Sequence, residues 1–272
     1  MIKTNVELCP PKRLSPWRKI SLGTWKPIGD SQVYCELKVN AEPALRRIEE
    51  LNRTLPTKIT LTHFVGKVMG IVLREVPDLN AIVRLGNIYP RKNVDIFFQI
   101  VHDQTELSGH VIRNIDQKSF LQISTELTKT ASSVRSGEDL NFKKIKKTWS
   151  FIPGWLAWLV LDLIGFLSYG LNLNIKGLGV PRDAFGSMMI TNIGSLGFSS
   201  AFVPLVPYTY TPAVLAMGKA EFQPYCDDAG NVKAQKQISL CCTFDHRLLD
   251  GARGSQMVKI LKHYFENPQL LD

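Results

Sequence analysis

The chain has 272 residues, 44% of them apolar, with 33 Lys and Arg against 24 Asp and Glu for a formal net charge of +9. That length can bury a substantial core within a single domain, and the basic balance favours a polyanionic partner. Nucleic acid is excluded as that partner, because the basic residues are dispersed and no nucleic-acid-binding motif accompanies them.

In chain order, Cys9-Pro-Pro-Lys-Arg-Leu-Ser-Pro16 reads as a short, stiff, basic lead-in. Val33, Cys35, Leu37 and Val39 alternate as in a strand. Pro43 then opens a helix with Leu45, Ile48 and Leu51 on one stripe. Thr60 can cap the next helix, whose buried face is Leu61, Phe64, Val65, Val68, Met69 and Val72. Residues 94–101 and 213–218 read as further apolar strands, with a polar loop over 102–110 after the first. The alternation of strands and helices indicates an α/β fold.

Residues 142–175 are the least ordinary stretch. Lys143, Lys144, Lys146 and Lys147 precede an apolar run whose single charge, from residue 151 to 171, is Asp162. By length alone it is a transmembrane candidate, but Pro153 and three glycines make it a poor continuous span. Two readings remain. It is either an interfacial hairpin, with Trp149, Trp155 and Trp158 at headgroup level and the lysines drawn to anionic lipid, or an apolar lid or subunit contact. A buried helical hairpin in an oligomer would give the same pattern.

Further on, Gly186-Ser-Met-Met-Ile-Thr-Asn-Ile-Gly-Ser-Leu-Gly197 is a short apolar strand running into a Gly-rich turn, which presents the Thr191 hydroxyl at a strand end. Residues 237–244 alternate again, with Ile238, Leu240, Cys242 and Phe244 on one face. Residues 252–265 space Met257, Ile260, Leu261 and Tyr264 as one helix face. Between that strand and helix lies Thr243-Phe-Asp-His-Arg-Leu-Leu-Asp-Gly-Ala-Arg-Gly254. Imidazole titrates near neutrality, so His246 there suits a general base, and Gly251 suits a sharp turn. The same His246 and Asp250 would also suit a helix cap. If the chemistry is acyl transfer, the base needs an oxyanion donor, and Thr191 is the candidate.

The five cysteines are Cys9, Cys35, Cys226, Cys241 and Cys242; an odd set without a Cys-x-x-Cys pair argues against a disulfide framework and a zinc site. Cys241 and Cys242 read as buried core. A reducing, cytoplasmic compartment is expected, and no signal-peptide h-region is present at the N-terminus. His63, His102, His110 and His263 are read as solvated side chains rather than metal ligands.

Taken together these segments resemble the catalytic domain of the dihydrolipoyl acyltransferases of 2-oxo acid dehydrogenase complexes, a fold shared with chloramphenicol acetyltransferase. The resemblance runs in order through Trp17-Arg-Lys-Ile20, residues 59–80 ending Val76-Pro-Asp-Leu-Asn80, Asn93-Val-Asp-Ile96, Val111-Ile-Arg-Asn-Ile-Asp116, Lys118-Ser-Phe-Leu121 and the closing Phe265-Glu-Asn-Pro-Gln-Leu-Leu271. It covers residues 13–140 and 180–272, most specifically at Asp245-His246-Arg247 to Asp250-Gly251.

What it implies is a mixed sheet flanked by helices, forming one catalytic domain over 1–272 with 142–175 as an insert, and an active site at a trimer interface. It also implies His246 as general base, Thr191 as oxyanion donor, and Asp250 paired with Arg18 to hold the loop. Asp103 and Asn192 are candidates for the place where substrate enters. The expected reaction is direct transfer of an acyl group between a thioester and a thiol, with coenzyme A as acyl-CoA substrate and no metal. The alternatives are O- or N-acylation of a small molecule, and a non-catalytic trimeric scaffold core.

Three features depart from the family. No lipoyl domain precedes the catalytic segment, so a stand-alone form is expected, with no lipoyl group of its own, that collects its acyl group from acyl-CoA or from a separate acyl or lipoyl carrier protein. Residues 102–110 carry Glu106 and His110 where the family has glycine and proline, which weakens the case for a lipoyl-lysine substrate. The insert makes a medium or long acyl group more plausible than acetyl, and peripheral membrane contact is expected through it.

Overall fold

The computed structural model describes residues 4–11, 31–102, 106–135, 153–175, 180–227 and 229–271. Among these residues the centre is a seven-stranded mixed sheet, in the order β1 (Gln32–Asn40), β9 (Val232–Asp245), β7 (Ala213–Met217), β6 (Met188–Asn192), β4 (Ile96–His102) and β5 (Glu106–Ile112), with β8 (Glu221–Cys226) pairing the outer half of β9. The three strands β4, β6 and β7 run parallel, and the other pairings are antiparallel. A mixed α/β sheet was expected, and it is what forms.

One face of this sheet is the main core. Ile238, Leu240, Cys242 and Phe244 of β9 enter it, while Cys241 joins Ile193 and Ala216 in a separate cluster, the two-residue period read from the sequence. Helices α1 (Glu42–Thr54), α2 (Leu61–Glu75), α3 (Phe120–Arg135) and α5 (Gly251–Glu266) pack with the core face. Of the predicted stripe of α2, Phe64, Val65, Val68, Met69 and Val72 are buried and Leu61 is half-buried. Phe64 ties three helices together: its ring stacks on Phe120 at 6.2 Å and meets Phe265 edge-on at 5.2 Å.

Several expectations change. The strand predicted over 237–244 begins at Val232, because its first residues are exposed and pair with β8 rather than alternating against a core. His102 and His110 lie on strands, not in a loop; β4 and β5 form a hairpin in register from Ile96↔Ile112 to His102↔Glu106. Polar residues hide β5, since it is the sheet's edge. His110 is 3.2 Å from Glu126 of α3, so its partner is a carboxylate. His63 is buried rather than solvated, at 7% exposure. Its Nδ1 accepts the Thr60 backbone N–H at 2.9 Å, closing a capping box at the start of α2.

The hairpin β2 (Ala81–Arg84) to β3 (Asn87–Pro90) has no sequence signal, because its turn places Leu85 as well as Gly86 at positive φ, 47° and 75°. Such turns ordinarily carry Asn-Gly. The hairpin packs Ala81 and Ile88 against Leu248, behind the loop that follows β9.

Within the insert, α4 (Gly154–Gly165) continues into a single π-helical turn, Phe166–Gly170. At about 1.5 Å per residue, its twelve residues reach about 18 Å, and among the described residues no helix is long and apolar enough to cross a membrane. Gly165 lets α4 approach the backbone of Tyr208, whose carbonyl oxygen would be 2.5 Å from an added Cβ. Along α4 and the turn that continues it, Trp158, Leu159, Leu163 and Phe166 are exposed, Trp158 to 64%. Lys143, Lys144, Lys146, Lys147 and Trp149 lie outside the described residues.

Candidate active site

β9 ends at Asp245, and His246 follows as the chain turns toward α5. Two rungs of backbone hold the turn to the sheet: Asp245 N–H donates to Pro212 O at 2.9 Å, and His246 N–H donates to Ser31 O at 2.8 Å. The turn closes as Leu248 and Leu249 donate to Asp245 O. Asp245, 6% exposed, accepts four bonds from Arg247: from its backbone N at 3.0 Å, from Nε at 2.9 and 3.1 Å, and from Nη2 at 2.6 Å. The charge-assisted fork fixes the residues on both sides of His246. The sequence marks Asp245 and Arg247 as part of the motif around His246, but not the ion pair between them.

The imidazole itself is half-buried. Its Nδ1 lies 2.7 Å from Leu249 O. A carbonyl oxygen can only accept, so Nδ1 carries a proton, and in the neutral ring the lone pair is at Nε2. This is the tautomer a general base needs at Nε2.

Asp250 caps α5, its Oδ1 accepting the Arg253 N–H at 3.0 Å. The helix-cap reading is therefore right for Asp250, and it is compatible with a catalytic His246. Glycine is not demanded at 251: an added Cβ there would meet nothing within 4 Å, and Gly251 is absent from the positive-φ positions. It is the first residue of α5 rather than the pivot of a strained turn. Arg18 and Asp103 lie outside the described residues.

Thr191 sits near the far end of β6, with Asn192 after it and a 3-10 turn over Ile193–Leu196. Asn192 is committed on both sides of its amide. Its Oδ1 accepts Ser195 N–H at 3.1 Å, and its Nδ2 donates to Thr62 Oγ1 on α2 at 3.0 Å. Gly194 is required by a close approach, since an added Cβ would stand 2.6 Å from Gly218 O. The turn is thus pinned to α2 and to the end of β7, and Thr191 is placed by both.

Thr191 and His246 are not brought together within one chain. Thr191 pairs with Ala216 of β7, and Ala216 pairs with Cys241 of β9. His246 is five residues beyond Cys241, about 17 Å along an extended strand. The hydroxyl and the imidazole stand at opposite ends of the central strands.

Two further features flank these residues. Leu196, Phe198, Phe202 and Tyr34 are exposed, between 46% and 57%, and Phe202 meets Tyr34 edge-on at 5.7 Å. On the other side, Tyr169 of the insert stacks on Tyr210 at 5.8 Å. Burial raises the Tyr210 phenol pKa, while Arg247 lowers it and Asp162 raises it, so this ring links the insert to the back of the His246 loop.

The family model described as 2-oxoacid dehydrogenases acyltransferase (catalytic domain) matches residues 30–146 and 183–271, leaving 147–182 unmatched. The dihydrolipoyllysine-residue acetyltransferase component of the pyruvate dehydrogenase complex of Staphylococcus aureus is 26% identical over 228 residues, which is 83% of this chain and 43% of that protein. The chain therefore spans less than half the length of this relative. Among solved structures, the Azotobacter vinelandii dihydrolipoamide acetyltransferase aligns with a TM-score of 0.67 at 20% identity, over 98% of this chain and 93% of that one. That structure belongs to an investigation of a serine, a histidine and an asparagine in its catalytic mechanism. A chloramphenicol acetyltransferase aligns with a TM-score of 0.53 at 11% identity, over 94% of this chain and 100% of that one, which fixes the fold alone.

Proposed function

This chain belongs to the 2-oxoacid dehydrogenase acyltransferase family, and on that premise we propose that it moves an acyl group directly between a coenzyme A thioester and a thiol, with His246 as general base and Thr191 as oxyanion donor. The observation that carries the reading is the 2.7 Å bond from Nδ1–H to Leu249 O, which orients the ring and places the basic nitrogen of its neutral form at Nε2. The thiolate adds to the thioester carbonyl carbon. The Thr191 hydroxyl donates to the resulting oxyanion, and collapse of the tetrahedral species expels the other thiol, which takes its proton back from Nε2. No acyl-enzyme forms.

Because about 17 Å of strand separates the two residues in one chain, the reaction needs a second copy, His246 of one subunit facing Thr191 of its neighbour. A trimer satisfies this around a three-fold axis, and the exposed apolar patch of Leu196, Phe198, Phe202 and Tyr34 beside the Thr191 turn supports a contact between copies there. The histidine and asparagine studied in the Azotobacter neighbour are four residues apart, the spacing of His246 and Asp250 here.

The apolar outer face of α4, following a lysine-rich stretch of sequence, supports peripheral contact with an anionic lipid surface on the cytoplasmic side, and with it a medium or long acyl chain.

The reading is tested by incubating the protein with acyl-CoAs of increasing chain length and dihydrolipoamide, and following free coenzyme A and S-acyl-dihydrolipoamide by chromatography. His246→Ala is expected to lower turnover on the order of a hundredfold or more. Equal inertness of wild type and variant across all donors and acceptors would defeat it.

A further inference from the structure

Behind His246, on the same two strands, lies a pair of thiols that the proposed transfer does not use. Cys35 of β1 and Cys242 of β9 stand directly opposite each other in antiparallel register. Two backbone bonds define the kind of pair. His246 N–H donates to Ser31 O and Ala41 N–H donates to Lys236 O, and both bonds join residues opposite in this same register. Odd-numbered residues of β1 therefore form the hydrogen-bonded pairs, Cys35 with Cys242 among them. Such pairs hold their Cα atoms about 5.5 Å apart, inside the roughly 4.4–6.8 Å that a disulfide spans.

The side chains also face the same way. Cys242 belongs to the main core, and Cys35 is half-buried and packs against it. We propose that Cys35 and Cys242 are a reversible thiol–disulfide site whose oxidant is a small peroxide and whose reductant is a dithiol.

The two thiols divide the work. The interaction with Cys242 lowers the Cys35 pKa, while the same interaction and burial raise that of Cys242. Cys35 is also the one that solvent reaches, so its thiolate attacks hydrogen peroxide first. The O–O bond breaks, hydroxide leaves as water after taking up a proton, and Cys35 becomes a sulfenic acid. The Cys242 sulfur then attacks the Cys35 sulfur. The S–S bond forms, the S–O bond breaks, and the leaving hydroxide takes the Cys242 proton as a second water. In sum two thiols are oxidised by two electrons and one peroxide is reduced to two waters. A dithiol reverses the step by thiolate exchange through a mixed disulfide, itself ending as a disulfide.

A hydrogen-bonded pair sets its Cβ atoms farther apart than the roughly 3.8 Å usual in a disulfide. Closing the bond therefore draws β1 and β9 together, which keeps it easy to reduce. It also acts on the ladder that holds the base: the next hydrogen-bonded pair after Cys35–Cys242 is Val33–Phe244, and the one after that is Ser31–His246.

The test uses the full chain and does not depend on acyl transfer. The protein is exposed to a small excess of hydrogen peroxide, alkylated, digested without reductant and analysed by mass spectrometry. The expected product is one peptide pair linked through Cys35 and Cys242, lighter by two hydrogens than its parts and lost on treatment with dithiothreitol. It should persist in Cys226→Ser and be missing from Cys35→Ser and Cys35→Ala, whose far-UV circular dichroism verifies that they fold. Recovery of Cys35 as a sulfinic acid with Cys242 still a free thiol, or of both thiols unchanged, overturns the proposal.

Discussion

At the start of α2, His63 makes the stability of the chain sensitive to mild acid. Its ring is 7% exposed, and burial lowers its pKa to about 4 from the ordinary 6.5. Nδ1 must also be unprotonated to accept the Thr60 N–H. The sign follows from which state takes up protons. Between pH 6.5 and 4 the unfolded chain binds a proton at this site and the folded chain does not, so the contribution is whole above pH 6.5, erodes as pH falls, and is gone below about pH 4. In total it amounts to about 3 kcal/mol at roughly 1.4 kcal/mol per pKa unit, of which about 2 kcal/mol is lost between pH 7.5 and pH 5. His63→Gln removes the titration and keeps a side-chain acceptor at the same helical position. Urea unfolding of both proteins at half-unit steps across that range isolates the effect, since every carboxylate titrates equally in the two. The wild type should lose about 2 kcal/mol relative to the variant at the acid end. Parallel curves would mean that His63 is protonated in the folded protein or that its burial costs nothing. The region matters because Thr62, one residue earlier, holds Asn192 beside Thr191.

Two other outcomes follow from single contacts. Gly186 has φ of 64° and an added Cβ would lie 2.4 Å from Asp95 O, so Gly186→Ala should cost about 2 kcal/mol or more in urea unfolding; an unchanged midpoint would refute the close approach. Liposomes rich in phosphatidylglycerol should float the wild-type protein at low salt, and Trp158→Glu with Leu163→Glu should abolish this; absence of wild-type flotation would remove α4 from the membrane.

The parts of the site that sequence made legible are local ones. His246 stands at a strand-to-helix junction because Ile238 to Phe244 alternate and Met257 to Tyr264 follow a helical period, and both patterns fit within a few residues of the histidine. Asp250 as a cap is legible for the same reason. The sheet's mixed character came from the family resemblance rather than from periodicity. Elements whose identity depends on partners far along the chain were hidden: the first residues of β9 need β8, and β5 gains its strand from β4 despite Glu106, Ser108 and His110. His63 looked like a solvated helix residue because the burial of its ring depends on the surrounding fold. Most of all, the distance between Thr191 and His246 is a property of strand order, set by β6 pairing β7 and β7 pairing β9, and no window of sequence contains it.

That distance changes what counts as an active-site residue. In the assembly we propose, no rotamer change in one chain can bring the hydroxyl to the imidazole, so the reacting geometry is inherited from the docking of whole sheets. Leu196, Phe202 and Tyr34 touch no reacting atom, yet a shift of their packing by an ångström would displace one half of the chemistry from the other. Selection for turnover would then act on these surface side chains as strictly as on His246, and an unassembled chain would be folded, soluble to a degree set by its exposed rings, and silent.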